Sequence, residues 1–208
     1  FRRRLEQFSA EAVRDNRDNN SASIGWSTGW VGWKHLGVGG RASYFDRTEP
    51  TSDPAIFRQA RVAGNVSIPL TERRISFSQI LPGLAYTQNR IGTDEDNTAE
   101  EELVSPSVGF RFDNRDASLK PRRGSLFNVN VLTNVVVKGE GDHYYRIDND
   151  IRWFHPLDES SVLGLRSALT VQLADYPEYI RLGIGGANTI RGYERSDFRS
   201  AHRWVQSA

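Results

Sequence analysis

The chain of 208 residues contains no cysteine and no methionine, and no run of eighteen apolar residues. The missing cysteine excludes a disulfide framework and a cysteine-based metal site. The missing apolar run excludes a membrane-spanning helix. Because no methionine is present, we expect the chain to be a trimmed piece of a longer protein.

Lysine is also scarce, because only three of the 27 basic residues are lysine. The arginines are scattered along the chain and balanced by 26 acidic residues. A nucleic-acid-binding protein usually gathers its basic residues into one patch, so we expect no nucleic-acid partner. The four histidines have no common metal-ligand spacing, so we expect no metal site.

Apolar and polar residues alternate over long segments in the second half of the chain. The clearest are 103–113, 125–137, 145–153 and 163–173. Most run to about eleven residues or more, which is longer than a usual globular strand and suits a tilted membrane-spanning strand. One face of the third and fourth segments carries charged residues. These are Arg146, Asp148, Asp150, Arg152 and Arg166.

Weaker alternation predicts five earlier strands, at 5–13, 22–33, 35–45, 56–68 and 74–90. The last of these needs a bulge near Ser78 to Gly83, because its apolar positions change parity there. Residues 92–102 are rich in acids and read as an exposed loop. The sequence thus predicts about nine antiparallel strands, joined by longer links that alternate with tighter turns, as in outer-membrane barrels. A soluble antiparallel sandwich is the alternative, although its polar face would carry more Lys and Glu.

Two short patterns resemble enzyme motifs, but the residues around them do not fit the structures that those motifs require. Residues 25–29 match the Gly-x-Ser-x-Gly elbow of hydrolases, but that elbow needs a helix after the serine, and here the strand alternation continues. Residues 183–188 lack the last glycine of a dinucleotide-binding loop. We therefore expect no enzymatic activity and no cofactor.

Two motifs carry the strongest functional signal. The first follows the strand that ends at Leu173, and its glycines allow the tight turn that would present the arginine at a tip. It consists of Gly185, Gly186, Arg191, Gly192 and Tyr193. The second lies between the segments 103–113 and 125–137. It consists of Asp113, Arg115, Asp116, Pro121 and Gly124.

These motifs resemble loop six and a periplasmic turn of the Omp85 superfamily, the BamA/TamA-like outer-membrane β-barrels that include the bacterial surface antigen D15 type. The resemblance implies an all-β antiparallel transmembrane barrel of sixteen strands, of which residues 1–208 supply a partial domain without POTRA domains. It also implies that Arg191 pairs with an acidic residue on a later strand, outside this chain. By the alternation, the charged side chains of 145–153 and 163–173 face the barrel lumen.

The resemblance further implies a bacterial outer-membrane location and a role in outer-membrane protein assembly, insertion or translocation. The expected partners are membrane lipid, client outer-membrane proteins and accessory assembly subunits. A two-partner secretion transporter and a passive porin-like barrel are the alternatives within the membrane.

Overall fold

The structure, a computed structural model, describes residues 6–14, 20–31, 36–48, 56–72, 77–94, 96–174, 177, 181–184 and 198–207. Every regular element in these residues is a β-strand. The strands are β1 (Glu6–Arg14), β2 (Asn20–Val31), β3 (Leu36–Thr48), β4 (Ile56–Glu72), β5 (Phe77–Gly92), β6 (Thr98–Asp113), β7 (Gly124–Lys138), β8 (Tyr144–Pro156), β9 (Val162–Leu173), β10 (Leu182–Ile184), β11 (Phe198–Ser200) and β12 (His202–Ser207). In this described part of the chain, no helix has the length and apolar character needed to cross a membrane.

Ten strands form one sheet in the order β1-β2-β3-β4-β5-β6-β7-β8-β9-β12. Neighbouring strands run antiparallel, for example β2 beside β3 and β8 beside β9. The short strands β10 and β11 form a separate antiparallel pair. The all-β antiparallel class predicted from the alternation is confirmed. In the described residues the sheet is open, with β1 and β12 at its two ends.

The chain divides into two compact units. The first contains Phe1–Ile68, Pro82–Ser107 and Thr133–His143, and the second contains Pro69–Leu81, Val108–Leu132 and Tyr144–Ala208. The first unit buries Ala85 and Leu103 together with polar residues, among them Asn89, which is 0% exposed. The second unit buries Leu126 and Tyr144.

The strands β8 and β9 of the second unit have an inverted distribution of polarity. Trp153 and Leu165, which pair across the two strands, are 43% and 42% exposed. Thr170 and Gln172, on the opposite side, are 5% and 4% exposed. A sheet that folds around an apolar core in water shows the reverse order, whereas a sheet whose outer side contacts lipid shows this one. We call the side with Trp153 and Leu165 the apolar face and the opposite side the polar face.

Burial along β5 changes parity, as the sequence predicts. Ser78 is buried at one end of the strand, whereas Ala85, Thr87 and Asn89 are the buried positions further on. The change falls between Ser78 and Leu84, the segment that contains Pro82 and Gly83. Proline removes a ladder hydrogen bond and glycine tolerates irregular backbone, so these residues suit the irregular part of the strand.

One expectation about the connections is wrong. Residues 92–102 are not one exposed loop, because β6 begins at Thr98 and contains the buried Glu101. The link between β5 and β6 is therefore short. The turn between β6 and β7, the one turn of the shorter set that the sequence does not make tight, is longer than the links after β7 and β8. Strands extend beyond the apolar region into segments whose composition predicts a loop. The lengths of the links therefore do not distinguish one end of the sheet from the other.

The sheet also has one strand more than the nine predicted. β12 pairs with β9, with Trp204 opposite Leu169. The Trp204 indole nitrogen donates a hydrogen bond to Ser167 Oγ at 3.0 Å. The chain thus returns to the sheet after the glycine-rich segment that follows β9.

Candidate functional site

The loop-six motif, Gly185, Gly186, Arg191, Gly192 and Tyr193, lies outside the described residues. The strands on either side of it are described and pair with each other. Leu182 is opposite Ser200, and Ile184 is opposite Phe198. The two ends of this segment therefore meet, and the predicted role of Arg191 stays a prediction.

The second motif forms the turn between β6 and β7, and an ion pair lies at its start. Arg115 donates from Nε to Asp113 Oδ1 at 2.9 Å and from Nη2 to Asp113 Oδ2 at 2.8 Å. Arg111 adds a third contact, from Nη2 to Asp113 Oδ2 at 3.2 Å. The Arg115 side chain is only 8% exposed. Two parallel bonds fix a guanidinium more firmly than one, so Asp113 orients the start of the turn.

The end of the turn is closed by Asn114, Ser125 and Gly124. The backbone of Asn114 donates to the Ser125 carbonyl at 3.0 Å, and the Asn114 side chain accepts from the Ser125 backbone at 2.6 Å. Gly124 has φ +101°, and a Cβ at this position would collide with the Asn114 carbonyl oxygen and lie 2.8 Å from Arg115 Cα. Only glycine fits this backbone without strain.

Asp116 organises the middle of the turn. Its Oδ1 accepts the backbone N–H groups of Arg122 at 2.9 Å and of Arg123 at 3.2 Å, and these bonds lower the pKa of the Asp116 carboxyl. The Arg122 guanidinium donates a hydrogen bond to the backbone carbonyl of Asp158, in the turn between β8 and β9, at 2.8 Å. Pro121, the fourth member of the motif, lies beside Arg122 and is partly buried. The motif therefore forms a preorganised turn that is also hydrogen-bonded to the turn between β8 and β9.

The turn between β8 and β9 is closed by Asp158. Its Oδ1 accepts from the Ser160 hydroxyl at 2.8 Å and from the backbone N–H groups of Ser160 and Ser161, both at 2.6 Å. These bonds favour the charged carboxylate and lower the pKa of Asp158 to about 2.

The polar face of β8 and β9 brings the five predicted charged residues into two groups. In the first, Arg146 donates from Nε and Nη2 to Asp148 Oδ1, at 3.1 and 2.9 Å. The Thr170 hydroxyl of β9 donates to the same oxygen at 2.9 Å. This group is one balanced ion pair, and the uncharged Thr170 hydroxyl links its carboxylate to the next strand.

In the second group, Asp150 lies between two arginines. Arg152 donates to its two oxygens at 3.1 and 2.8 Å, and Arg166 does so at 3.3 and 3.1 Å. Arg152 and Arg166 are directly opposite in the register of β8 and β9. Two like charges placed opposite each other repel, and the shared carboxylate offsets that repulsion. That this face lines a water-filled lumen stays a prediction.

A buried polar chain in the first unit is absent from the sequence-based expectations. Gln59 donates to Asn89 Oδ1 at 3.0 Å, and Asn89 donates to Glu101 Oε2 at 2.8 Å. Glu101 is 5% exposed, although the sequence places it in a loop. On β6, Glu101, Leu103 and Ser105 are all buried and share one parity. The alternation of the segment 103–113, continued back by one step to Glu101, was the available signal.

The described residues contain no group of three or more histidine, cysteine, aspartate or glutamate side chains placed to hold a metal ion. The charged side chains of the described site form arginine–carboxylate pairs, which can bind and orient other groups.

Comparison with known proteins gives two findings. The family model of the Omp85 superfamily domain matches residues 4–204. The crystal structure of BamA from Haemophilus ducreyi lacking POTRA domains 1-3 superposes with a TM-score of 0.68 at 14% sequence identity. The superposition covers 92% of this chain and 40% of that chain, so the present chain spans less than half of its length. At this identity the likeness establishes the fold.

Proposed function

This chain belongs to the Omp85 superfamily, and from that premise we propose that its full-length protein is a BamA/TamA-like assembly or translocation pore of the bacterial outer membrane. Its partners would be membrane lipid, client outer-membrane proteins and accessory assembly subunits. The chain would supply part of the barrel wall and the loop-six segment.

The observation that supports this proposal most directly is the inverted polarity of β8 and β9, together with the length of the apolar pattern on β7. On β7 the apolar positions run from Phe127 to Val137, a rise of about 33 Å along the strand at about 3.3 Å per residue. A strand tilt of about 40° reduces this to about 25 Å, the height of the apolar band of an outer-membrane barrel. The opposite side of the same region carries the Arg–Asp groups of the polar face. A wall of this kind suits a lipid-embedded barrel with a hydrated interior.

The proposed role is tested by reconstituting the full-length protein in lipid vesicles and adding an unfolded client barrel. Insertion is measured as the fraction of client that gains heat-modifiable gel mobility. We expect insertion to exceed that in empty vesicles without any nucleotide. Conductance or release of a secreted substrate without client insertion would instead indicate a porin-like barrel or a two-partner secretion transporter.

The loop-six motif supplies the matched variants for this assay. Arg191→Ala should reduce insertion strongly, because removing one side of a buried ion pair costs about 3–5 kcal/mol, less where the surroundings are wet. Arg191→Lys should restore activity in part, since lysine cannot form two parallel bonds. Arg195→Ala, in the same segment, is the control. Equal insertion by Arg191→Ala and Arg195→Ala would contradict the role assigned to Arg191.

A further inference from the structure

Two arginine–aspartate–arginine triads in the second unit each hold more positive than negative charge. The first is Arg111–Asp113–Arg115, and the second is Arg152–Asp150–Arg166. In each triad one carboxylate is shared by two guanidinium groups, so one positive charge is left over. The Arg146–Asp148 pair on the same strand as Arg152 is balanced and leaves none.

Three of the four arginines of the triads face outward, and the fourth, Arg115, is 8% exposed. The side chains of Arg111, Arg152 and Arg166 are 40%, 37% and 39% exposed, whereas those of Asp113 and Asp150 are 18% and 21% exposed. The carboxylates therefore lie beneath these three outward guanidinium groups. A molecule that approaches this part of the wall meets cations first.

The triads also keep hydrogen-bond donors unused. Arg152 and Arg166 both spend Nε and Nη2 on Asp150, and within the described residues their Nη1 groups donate no hydrogen bond. Arg111 spends Nη2 on Asp113 and donates nothing from Nη1 within the same residues, whereas its Nε is buried and out of reach of a ligand. A guanidinium offers five donors and matches carboxylate geometry, so these unused groups suit an oxyanion.

The spacing of the triads suits two carboxylates on one extended chain. The first triad lies on β6 and the turn after it, and the second spans β8 and β9, so their centres are about 10–14 Å apart at about 4.8 Å per strand. Arg115 and Arg152 repel each other electrostatically, which places the triads in one region. In an extended polypeptide, side chains four residues apart are separated by about 13 Å.

We propose that the two triads form a binding site for an acidic polypeptide segment in extended conformation, with one carboxylate at each triad. The site rests on the proposed function for the lumenal position of the polar face. Lipid is excluded as the occupant because Trp153 and Leu165 place the lipid-facing side of these strands opposite the triads. A client chain that passes along the barrel wall is the partner of the required chemistry.

The test uses the full-length protein in detergent and two fluorescent nonapeptides of glycine and serine. One carries aspartate at its third and seventh positions, and the other carries asparagine there. Affinity is measured by fluorescence anisotropy at about 50 mM salt and again at about 500 mM, where screening is stronger. We expect the aspartate peptide to bind more tightly, and the difference to shrink at high salt.

The variants Arg111→Gln and Arg166→Gln each remove the surplus charge while leaving one arginine on the aspartate. Each should weaken binding of the aspartate peptide about threefold to fivefold, and the double variant should bind both peptides equally. Arg146→Gln is the control, because it removes the same charge from the same face about 20 Å along β8 from Arg152, beyond the screening length. It should leave the affinity unchanged.

Heat-modifiable mobility confirms that each variant is folded before its affinity is compared. Equal affinity for the two peptides in the unmodified protein overturns the site. So does an effect of Arg146→Gln as large as that of Arg166→Gln, because the charge would then act without a local site. If the full-length protein binds the aspartate peptide but does not insert the client, the proposed function is overturned and the binding site is retained.

Discussion

Gly124→Ala should destabilise the turn between β6 and β7 more than an alanine at an unstrained glycine of the sheet. At φ +101° an alanine adopts a conformation that costs about 1–3 kcal/mol. Its Cβ would also lie 2.8 Å from Arg115 Cα and closer still to the Asn114 carbonyl oxygen, so the backbone must shift. That shift weakens the bonds between Asn114 and Ser125, each worth about 0.5–1.5 kcal/mol. With both bonds lost, the total is about 2–6 kcal/mol.

The matched control is Gly64→Ala on β4. Among the described residues, its Cβ would approach the Gly39 carbonyl oxygen at 3.8 Å, which is ordinary van der Waals contact. Alanine at such a site is expected to be neutral or slightly stabilising. The assay is urea-induced unfolding of the full-length protein in lipid vesicles, followed by tryptophan fluorescence. Unfolding of Gly124→Ala at the same urea concentration as Gly64→Ala would refute the strained geometry of the turn.

Three further predictions test the faces and the second turn. Val131→Arg should cost about 2–4 kcal/mol of unfolding free energy if Val131 faces the bilayer midplane, and Asn130→Arg much less; equal unfolding in vesicles would contradict the assigned faces. A cysteine at Asp148 should react with a water-soluble thiol reagent faster than one at Ile147, and the opposite order would place Asp148 against lipid. The turn lowers the pKa of Asp158 from its ordinary value of 3.8 to about 2. The charged carboxylate therefore contributes fully to stability above pH 3.8, and this contribution is lost as the pH falls toward about 2. The stability difference between the unmodified protein and Asp158→Asn should therefore shrink between pH 6 and pH 2, and a constant difference would show that the carboxylate bonds do not hold the turn.

The long strands were predictable because their signal is local and repeated. The predicted strand 125–137 corresponds to β7 (Gly124–Lys138), and the predicted strand 163–173 corresponds to β9 (Val162–Leu173). Each has enough alternating positions for the period of two to stand out. β12 has six residues and includes His202, Arg203 and Gln206, so its alternation is brief and polar. Its assignment depends on pairing with β9, which lies far away in sequence.

The turn motif was predictable for a related reason. Asp113 binds Arg115, Asn114 binds Ser125, and Asp116 binds the backbone of Arg122, so each contact closes within eleven residues. Short spacings of this kind are visible in a sequence as aspartate, asparagine and glycine at fixed offsets. The link from Arg122 to Asp158 spans 36 residues and had no such signature.

Glu101 shows why polar residues inside the sheet were assigned to a loop. Its neighbours Glu100 and Glu102 both pair with Lys138, at 2.9 and 3.4 Å, while Glu101 turns to the other side and accepts from Asn89. A run of three glutamates normally predicts solvent exposure, because an unpaired buried charge is costly. Here strands on both sides of β6 supply partners, and those partners are 12 to 38 residues away. In a sheet with a polar face, charge alone therefore does not separate strand from loop; the parity of the neighbouring apolar positions does.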